Sequence, residues 1–300
     1  MESMFMKVRN DFIFKKIFGE PGNESILKSL LEPILQLDIK EVSISLDREL
    51  KKENISLKTG FLDVKASLYD GTKVNVEIQV GREYNLAKRT FFYLARLYSN
   101  DFLSGQKYDS LSKAVTVNIL DYVQFENDES FHKTFKIVDE YGDNSFFSDV
   151  AEIHVLELEK VRRLKDYGDN KLRDWLLFIG ANSKEEIQML AEKNVDIKKA
   201  ADVLEKLSQN DEARLMYESR EKYLHDYNSN LYAAKEEGKE EGIRLGHINT
   251  IYALFGVKHN LSKIAISDRV YAFSNEEDEE FSKLMNDDLY EEAFKILGLV

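Results

Sequence analysis

The spacing of apolar residues divides the chain into helical and extended stretches. Near the start, aromatic and aliphatic positions recur at helical spacing over 11–19 and again over 23–36. The period then changes to two, because polar and apolar residues alternate over 41–47, 61–69 and 73–80. We therefore expect two helices followed by a three-stranded meander.

The pattern beyond this meander predicts further sheet and then helices. Residues 84–104 return to helical spacing, and 114–122 form a nearly continuous apolar run, as a buried strand would have. Two more strand-like stretches lie between 131 and 159. From about 162 the chain is predicted to be helical almost to its end, including a long charged run over 211–246.

Composition narrows the class of protein. The chain is 43% hydrophobic, with 18 Phe and 15 Tyr, and it contains no cysteine. The lack of cysteine excludes disulfides, thiolate catalysis and Cys-based zinc sites, and it is compatible with a reducing cytoplasm. No apolar run approaches the roughly 20 residues that cross a bilayer. We expect a cytoplasmic protein that does not contact the membrane.

The acidic residues are unevenly distributed along the chain. The net charge of −13 by itself disfavours a nucleic-acid partner, because phosphate binding calls for Lys and Arg. However, residues 1–125 carry 18 Lys and Arg against 17 Asp and Glu, whereas the remainder carries 24 against 38. The N-terminal half is therefore neutral overall and is compatible with a site for phosphate and a divalent metal.

Two acids on neighbouring predicted strands form the candidate site. Asp63 lies on one strand, and Glu77 lies on the next, followed by Ile78 and Gln79. Two carboxylates on adjacent strands can share one Mg²⁺ or Mn²⁺, and the backbone carbonyl of Ile78 can add a third oxygen. Such a metal neutralises charge on a phosphate and lowers the pKa of an attacking water. The alternative is that both acids occupy the solvated face of an amphipathic hairpin.

The turn between these two strands decides whether the acids share a face. A two-residue turn would pair Asp63 with Ile78 and place the acids on opposite faces. A three-residue loop over 69–71, with Gly71 in the left-handed conformation, pairs Asp63 with Glu77 instead. We predict the three-residue loop, because only that loop allows the site to form.

An ordered set of short motifs resembles a known family. The motifs are NDFIFKKIFG, FLDVKASLYDG, VNVEIQV, the helix containing Arg89 and Tyr93, AVTVNILDY and EIHVLELEK. They are similar to those of the Rpn family, the bacterial recombination-promoting nucleases of the PD-(D/E)xK superfamily, which are also labelled transposases. The resemblance covers about 10–160 and extends more loosely to the glycine-punctuated segment AAKEEGKEEGIRLG.

The resemblance implies a fold and an activity. The fold is expected to be α/β, a PD-(D/E)xK (restriction-endonuclease-like) mixed-sheet core over 1–160 with a helical C-terminal region over 161–300. The activity is expected to be metal-dependent endonucleolytic hydrolysis of DNA, serving recombination or mobile-element transfer. Two alternatives are a catalytically inactive DNA-binding or protein-interaction module that retains the fold, and an assembly module whose C-terminal half is the functional part.

The resemblance also assigns roles to individual residues. It implies that Asp63 and Glu77 are the metal ligands and that Gln79 takes the place of the superfamily lysine. Because a glutamine side chain can only hydrogen-bond, a base or a charge must come from elsewhere. The candidates are a phosphate oxygen of the substrate and the side chains of Lys65, Lys88 and Arg89. Further supporting candidates are Tyr93, Asp11 and Glu24.

Other features have structural interpretations. Asp11 is equally a candidate N-cap of the first helix, and Trp175 lies in an apolar helical stretch that predicts a core position. His132 and His154 are far apart without an HxxxH or HxH pattern, which disfavours a histidine metal site. Glycines recur every fourth residue over 238–246, which predicts either a helix that pairs two copies of the chain or a flexible charged segment.

Overall fold

A six-stranded sheet organises the first part of the chain. The structure, a computed structural model, describes residues 4–45, 64–82, 84–100, 102–140, 149–164 and 170–299. The strand order is β1-β2-β3-β4-β6-β5. The strands are β1 (Val42–Ser45), β2 (Val64–Leu68), β3 (Lys73–Gln79), β4 (Ala114–Leu120), β5 (His132–Lys136) and β6 (Ala151–Glu157). The strands predicted from alternation are confirmed wherever the structure describes the chain.

The sheet is mixed. The first three strands form an antiparallel meander, β3, β4 and β6 run parallel to one another, and β5 is antiparallel to β6 at the edge. A helix, α3 (Leu86–Ser99), lies in the connection between the parallel strands β3 and β4. Parallel neighbours need such a crossover, which is usually helical. The expected mixed-sheet α/β fold is therefore confirmed.

The β2–β3 hairpin has the three-residue loop that the sequence predicts. Val64 pairs with Val76, and the backbone N–H of Leu68 donates to the carbonyl of Thr72 at 2.8 Å, which closes the loop. Gly71 has a φ of +87°, a left-handed conformation that glycine adopts without steric cost. The loop length, and with it the register of the two strands, is confirmed.

Helices precede and follow the sheet in the chain. The first two are α1 (Asp11–Phe18) and α2 (Glu24–Leu35), as the apolar spacing predicts. Those after the sheet are α4 (Leu158–Arg163), α5 (Lys171–Ile179), α6 (Lys184–Lys193), α7 (Val195–Gln209), α8 (Asp211–Ile251), α9 (Lys263–Tyr271), α10 (Asn275–Asn286) and α11 (Tyr290–Ile296). Among the helices that the structure describes, none has both the length and the apolar character that a bilayer crossing demands.

The cap of the first helix differs from the prediction. Asn10, not Asp11, is the N-cap, because its side-chain oxygen accepts the backbone N–H groups of Phe12 at 3.1 Å and Ile13 at 3.4 Å. Asp11 is the first helical residue, where the helix dipole favours a carboxylate, and it forms an ion pair with Arg220. The N-cap assignment of Asp11 is wrong because the neighbouring amide already satisfies the first free N–H groups.

A hydrophobic core lies on one face of the sheet. Val74, Val76 and Ile78 alternate with polar residues along β3, so that this strand presents an apolar face. The face belongs to one buried cluster with side chains of α1, α2, α5 and α7. In that cluster the rings of Phe18 and Trp175 pack edge to face at 5.6 Å. The predicted core position of Trp175 is confirmed.

The chain divides into two compact units, one ending at Leu224 and one beginning at His225. The composition shift near residue 160 lies inside the first unit, because side chains of α5 and α7 belong to the same buried cluster as the sheet. The second unit has its own core from the end of α8 and from α9, α10 and α11. Its fully buried side chains include Ile248, Ile251, Ile266, Val270 and Phe281.

The glycine repeat lies on α8 in the second unit. Apart from the adjoining backbone of α8 itself, a Cβ atom added at Gly238, Gly242 or Gly246 would meet no described atom within 4 Å. Within the described residues, these glycines therefore do not serve close packing between helices. The pairing of two copies of the chain through this segment stays a prediction.

Candidate active site

Five polar side chains are buried on the sheet face opposite the hydrophobic core. Asn75, Glu77 and Gln79 alternate with the apolar residues of β3. Thr116 and Asn118 are the register partners of Asn75 and Glu77 on β4, so that their side chains share this face. We call these five residues the polar row. Burial of this many polar groups on one face is costly unless they have partners or a ligand.

Glu77 is the centre of the polar row and is only 2% exposed. The side-chain amide of Asn75 donates to Glu77 Oε1 at 3.0 Å, and that of Gln79 donates to Glu77 Oε2 at 3.2 Å. Both donors are neutral. They hold the carboxylate in one orientation and bring no formal positive charge to it.

Helix α3 covers the polar row. Thr90 Oγ1 donates to Asn118 Oδ1 at 3.3 Å and ties the helix to β4. From the same helix, a guanidinium nitrogen of Arg89 lies 3.8 Å from Glu77 Oε2. Tyr93 is one helical turn further, and its ring centre lies 5.4 Å from the Arg89 guanidinium carbon. The structure therefore brings the predicted supporting residue Arg89 to Glu77, and Tyr93 to Arg89.

Oxygen atoms beside Glu77 form a donor set that fits a hard divalent cation. Asn75 Oδ1 and Thr116 Oγ1 are buried, and neither makes a hydrogen bond with any residue that the structure describes. Buried polar atoms normally have partners. Carboxylate and amide oxygens bind hard cations directly, and hydroxyl oxygens can accept hydrogen bonds from the cation's waters. The residues present are therefore compatible with a hydrated cation next to Glu77.

The second predicted carboxylate, Asp63, lies outside the described residues. Within the described ranges, no three His, Asp or Glu side chains converge as a ready-made metal centre. Of the other predicted site residues, Lys65 pairs with Asn75 across the β2–β3 ladder and so lies on the face of the polar row. Lys88 lies on the exposed side of α3. The Ile78 side chain points into the core, so only its backbone carbonyl can serve the site.

The two acids predicted from the N-terminal helices have local partners. The Asp11 carboxylate is 9% exposed and accepts the Arg220 Nε–H at 3.1 Å as well as a second guanidinium nitrogen. Glu24 Oε2 accepts the backbone N–H of Gly22 at 2.9 Å at the start of α2. Both contacts stabilise the beginnings of helices.

Part of the polar row was missed by sequence reasoning. Asn75 could have been predicted as a neighbour of Glu77. It lies two residues before Glu77, and alternation along a strand puts the two side chains on one face. Thr116 and Asn118 also alternate with apolar residues, but the run AVTVNILDY is apolar enough to predict a strand buried on both sides. Their position beside Glu77 depends on the parallel pairing of β3 and β4, which no local pattern specifies.

A second polar cluster lies on the other face of the sheet. His132 Nε2 and His154 Nδ1 are 2.9 Å apart, and His154 Nε2 lies 3.1 Å from Glu152 Oε1. Glu152 also pairs with Lys113 at 2.7 Å and with Lys136 at 3.4 Å. The sequence did not predict this contact, because the two histidines are far apart in the chain. The antiparallel pairing of β5 with β6 brings them together. Burial and the neighbouring His132 lower the pKa of His154 to about 4.

Comparison with known proteins gives one match. A family model described as PD-(D/E)XK nuclease family transposase matches residues 8–234, which is more than half of the 300 residues. The matched range contains the whole sheet, the polar row and α3. No characterised protein and no solved structure matches the chain.

Proposed function

This chain belongs to the PD-(D/E)XK nuclease family transposases, and from that membership we propose that it is a metal-dependent endonuclease that hydrolyses DNA phosphodiester bonds. The family predicted from the ordered motifs is confirmed, and nucleases of this superfamily generally use divalent metal ions. The observation that carries the proposal is Glu77, a buried carboxylate that two neutral amides hold in place. Glu77 lies on β3 in the motif VNVEIQV, at the position to which the family resemblance assigns a metal ligand.

In this proposal Asp63, Glu77 and the backbone carbonyl of Ile78 hold the metal. The pairing of Val64 with Val76 supports it, because this is the register that belongs to the three-residue loop, the loop for which the sequence predicts that Asp63 pairs with Glu77. Bound there, Mg²⁺ or Mn²⁺ would offset charge on the phosphate and lower the pKa of the attacking water. Asn75 Oδ1 is an acceptor available on the same face.

Gln79 acts as a positioning residue. Its amide donates to Glu77 Oε2 and cannot take a proton from water. The proton acceptor is therefore a phosphate oxygen of the substrate or a lysine, with Lys65 on the face of the polar row and Lys88 on the exposed side of α3. Guanidinium groups bind phosphate through several N–H donors, so Arg89 serves to bind a phosphate oxygen near Glu77 and not as a base.

The proposal includes the biological process that the cleavage serves. We assign the cleavage to recombination or mobile-element transfer of DNA, with the chemistry in residues 1–160. The helical region over 161–300 then regulates the nuclease or pairs two copies of the chain. A homodimer would present two sites to one duplex, which favours cutting both strands.

Plasmid cleavage in Mg²⁺ or Mn²⁺ tests the proposal. Glu77→Gln and Asp63→Asn keep the shape of each side chain and remove its charge. Since losing even an outer partner of a metal ligand typically costs about 10- to 100-fold, we expect the cleavage rate to fall by more than about 100-fold. Asp70→Asn makes the same change in the hairpin loop, where Asp70 Oδ1 accepts the Thr72 N–H at 2.9 Å, and should cleave like wild type.

Circular dichroism and thermal unfolding show that each variant is folded. If wild type and Glu77→Gln cleave at the same rate, the proposed site is wrong. If wild type binds DNA but does not cut it with either metal, the chain is the inactive DNA-binding module instead.

A further inference from the structure

Helix α3 exposes aromatic and basic side chains and contains no acidic residue. Its sequence, LAKRTFFYLARLYS, has three cations, although the whole chain has a net charge of −13. Phe91 and Phe92 are 64% and 57% exposed, and Lys88 and Arg96 are exposed beside them. Large apolar groups that are exposed beside side chains of a single charge sign are typical of a binding surface. The positive charge of the helix favours an anionic ligand.

A continuous series of contacts links Glu77 to this surface. Arg89 lies 3.8 Å from Glu77, and its guanidinium carbon lies 5.4 Å from the centre of the Tyr93 ring. Tyr93 meets Phe92 edge to face at 5.5 Å, and the Arg96 guanidinium carbon lies 5.9 Å from the Phe92 ring centre. From the buried carboxylate outwards, the series therefore consists of a cation, two rings in contact and a second cation.

The chemistry of this series selects one class of ligand. Guanidinium groups bind phosphates, and an exposed aromatic ring binds a nucleobase by stacking. A base inside a duplex is already stacked on its neighbours, so only an unpaired base can use such a ring. Aromatic rings flanked on both sides by guanidinium groups are thus complementary to the bases of a single strand, which are flanked by phosphates.

We propose that Phe92 and Arg96 bind an unpaired nucleotide of the DNA substrate, next to the phosphodiester bond that is cleaved at Glu77. The base stacks on the Phe92 ring, and Arg96 pairs with a flanking phosphate. This inference rests on the proposed nuclease function and names its substrate class. The substrate is DNA with an unpaired nucleotide at the cleavage point, such as an end, a flap, a gap or a locally melted segment of a supercoiled plasmid.

Fluorescence anisotropy in EDTA tests this binding without cleavage. The probes are a fluorescein-labelled single strand of about 20 nucleotides, longer than typical site sizes of about 4–16 nucleotides, and the matched duplex. Since stacking of one base on an aromatic ring typically contributes about 5- to 100-fold in affinity, we expect Phe92→Ala to raise the Kd for the single strand about 10-fold. Its Kd for the duplex should stay within about 2-fold, because the electrostatic contacts that bind a duplex are retained.

Two further variants distinguish stacking on the Phe92 ring from the phosphate contact of Arg96. Phe92→Tyr keeps an aromatic ring and should keep single-strand affinity. Arg96→Gln should reduce the slope of log Kd against log salt by about 0.7, the change expected for one lost phosphate contact to a single strand.

The matched control is Phe91→Ala. Phe91 is exposed to a similar degree and projects about 100° around the helix from Phe92, on the side away from Tyr93. We expect this variant to bind the single strand like wild type. Equal losses for Phe91→Ala and Phe92→Ala, or no loss for Phe92→Ala, would overturn the inference. So would a dimer, seen by light scattering, that Phe92→Ala dissociates without changing single-strand affinity.

The two proposals fail in different ways. If wild type cleaves plasmid but Phe92→Ala binds single strands normally, the nuclease function stands and the nucleotide site is wrong. If single-strand binding depends on Phe92 but wild type cleaves nothing, the nucleotide site stands and the nuclease function is wrong.

Discussion

Glu77 and Glu152 are buried carboxylates on internal strands of the same sheet, but they lie on opposite faces and have different partners. Glu152 has Lys113 at 2.7 Å, His154 at 3.1 Å and Lys136 at 3.4 Å. Glu77 accepts hydrogen bonds from two neutral amides, and Arg89 approaches it to 3.8 Å. The two carboxylates therefore differ chiefly in how closely cationic side chains surround them.

This difference predicts that Glu152 has a structural role and that Glu77 is the carboxylate that binds a metal ion. Buried charges are stable when they are paired or when they bind a metal. The lysines beside Glu152 come from the residue before β4 and from β5, so that their ion pairs join three strands. The amides beside Glu77 orient the carboxylate, and its ion pair with Arg89, at 3.8 Å, is longer than the contacts of Glu152 with its two lysines and His154. Three predictions test this contrast.

The largest expected effect is on stability. Breaking a buried ion pair by removing one partner costs about 3–5 kcal/mol, and the partial exposure of the two lysines lowers that cost. We therefore expect Glu152→Gln to reduce the free energy of unfolding by about 3 kcal/mol. Glu77→Gln should change it by less than about 1 kcal/mol, because its pair with Arg89 is longer, at 3.8 Å, and a neighbouring side-chain amide can turn its oxygen to the new NH₂ group. Urea unfolding followed by circular dichroism measures both.

Each variant serves as the control for the other, since both convert a buried strand glutamate to glutamine. Equal destabilisation by the two substitutions would show that the two carboxylates are equivalent structural groups. The contrast between them would then be lost.

The second prediction concerns pH. Burial and His132 lower the pKa of folded His154 to about 4, whereas the unfolded value is about 6.5. Between these values the unfolded chain binds more protons, so the contribution of neutral His154 is complete above pH 6.5 and is lost as pH falls towards 4. From pH 7 to pH 5, we expect wild type to lose about 2 kcal/mol more unfolding free energy than His154→Asn.

Urea unfolding at the two pH values gives this difference directly. Glu152 and His132 face the imidazole and remain in both proteins, so their own titration cancels to first order in the comparison. If wild type and His154→Asn lose the same unfolding free energy between pH 7 and pH 5, the fold does not favour the neutral form of His154.

The smallest expected effect concerns the hydrogen bond from Gln79 to Glu77. Removing an outer partner of a metal ligand typically lowers metal affinity by about 10- to 100-fold. We expect Gln79→Ala to raise the Mn²⁺ concentration for half-maximal cleavage about 10-fold, the lower end of that range, because Asn75 still holds the other oxygen. Gln106→Ala, in a loop where Gln106 Oε1 accepts the Leu103 N–H, should leave the metal dependence unchanged.

A metal titration of plasmid cleavage separates positioning from general damage. A lower maximal rate with an unchanged Mn²⁺ midpoint would contradict the positioning role of Gln79. A shifted midpoint with an unchanged melting temperature would support it.

The candidate site was only partly predictable from the sequence. Glu77 and Gln79 follow from strand alternation and from the family resemblance, and Arg89 and Tyr93 follow from the resemblance and from the helical spacing that puts both on one face. Thr116 could not be assigned to the site in this way, because its position depends on which strand pairs with β3 and in which register.

The sequence by itself determined the helices, the strands and the loop at Gly71, because these depend on contacts between residues that are close in the chain. Only the tertiary structure decided that β6 lies between β4 and β5, which brings His132 to His154. It also decided that Arg220 pairs with Asp11, 209 residues away. Such contacts arise when distant segments fold against one another, so no local pattern of residues specifies them.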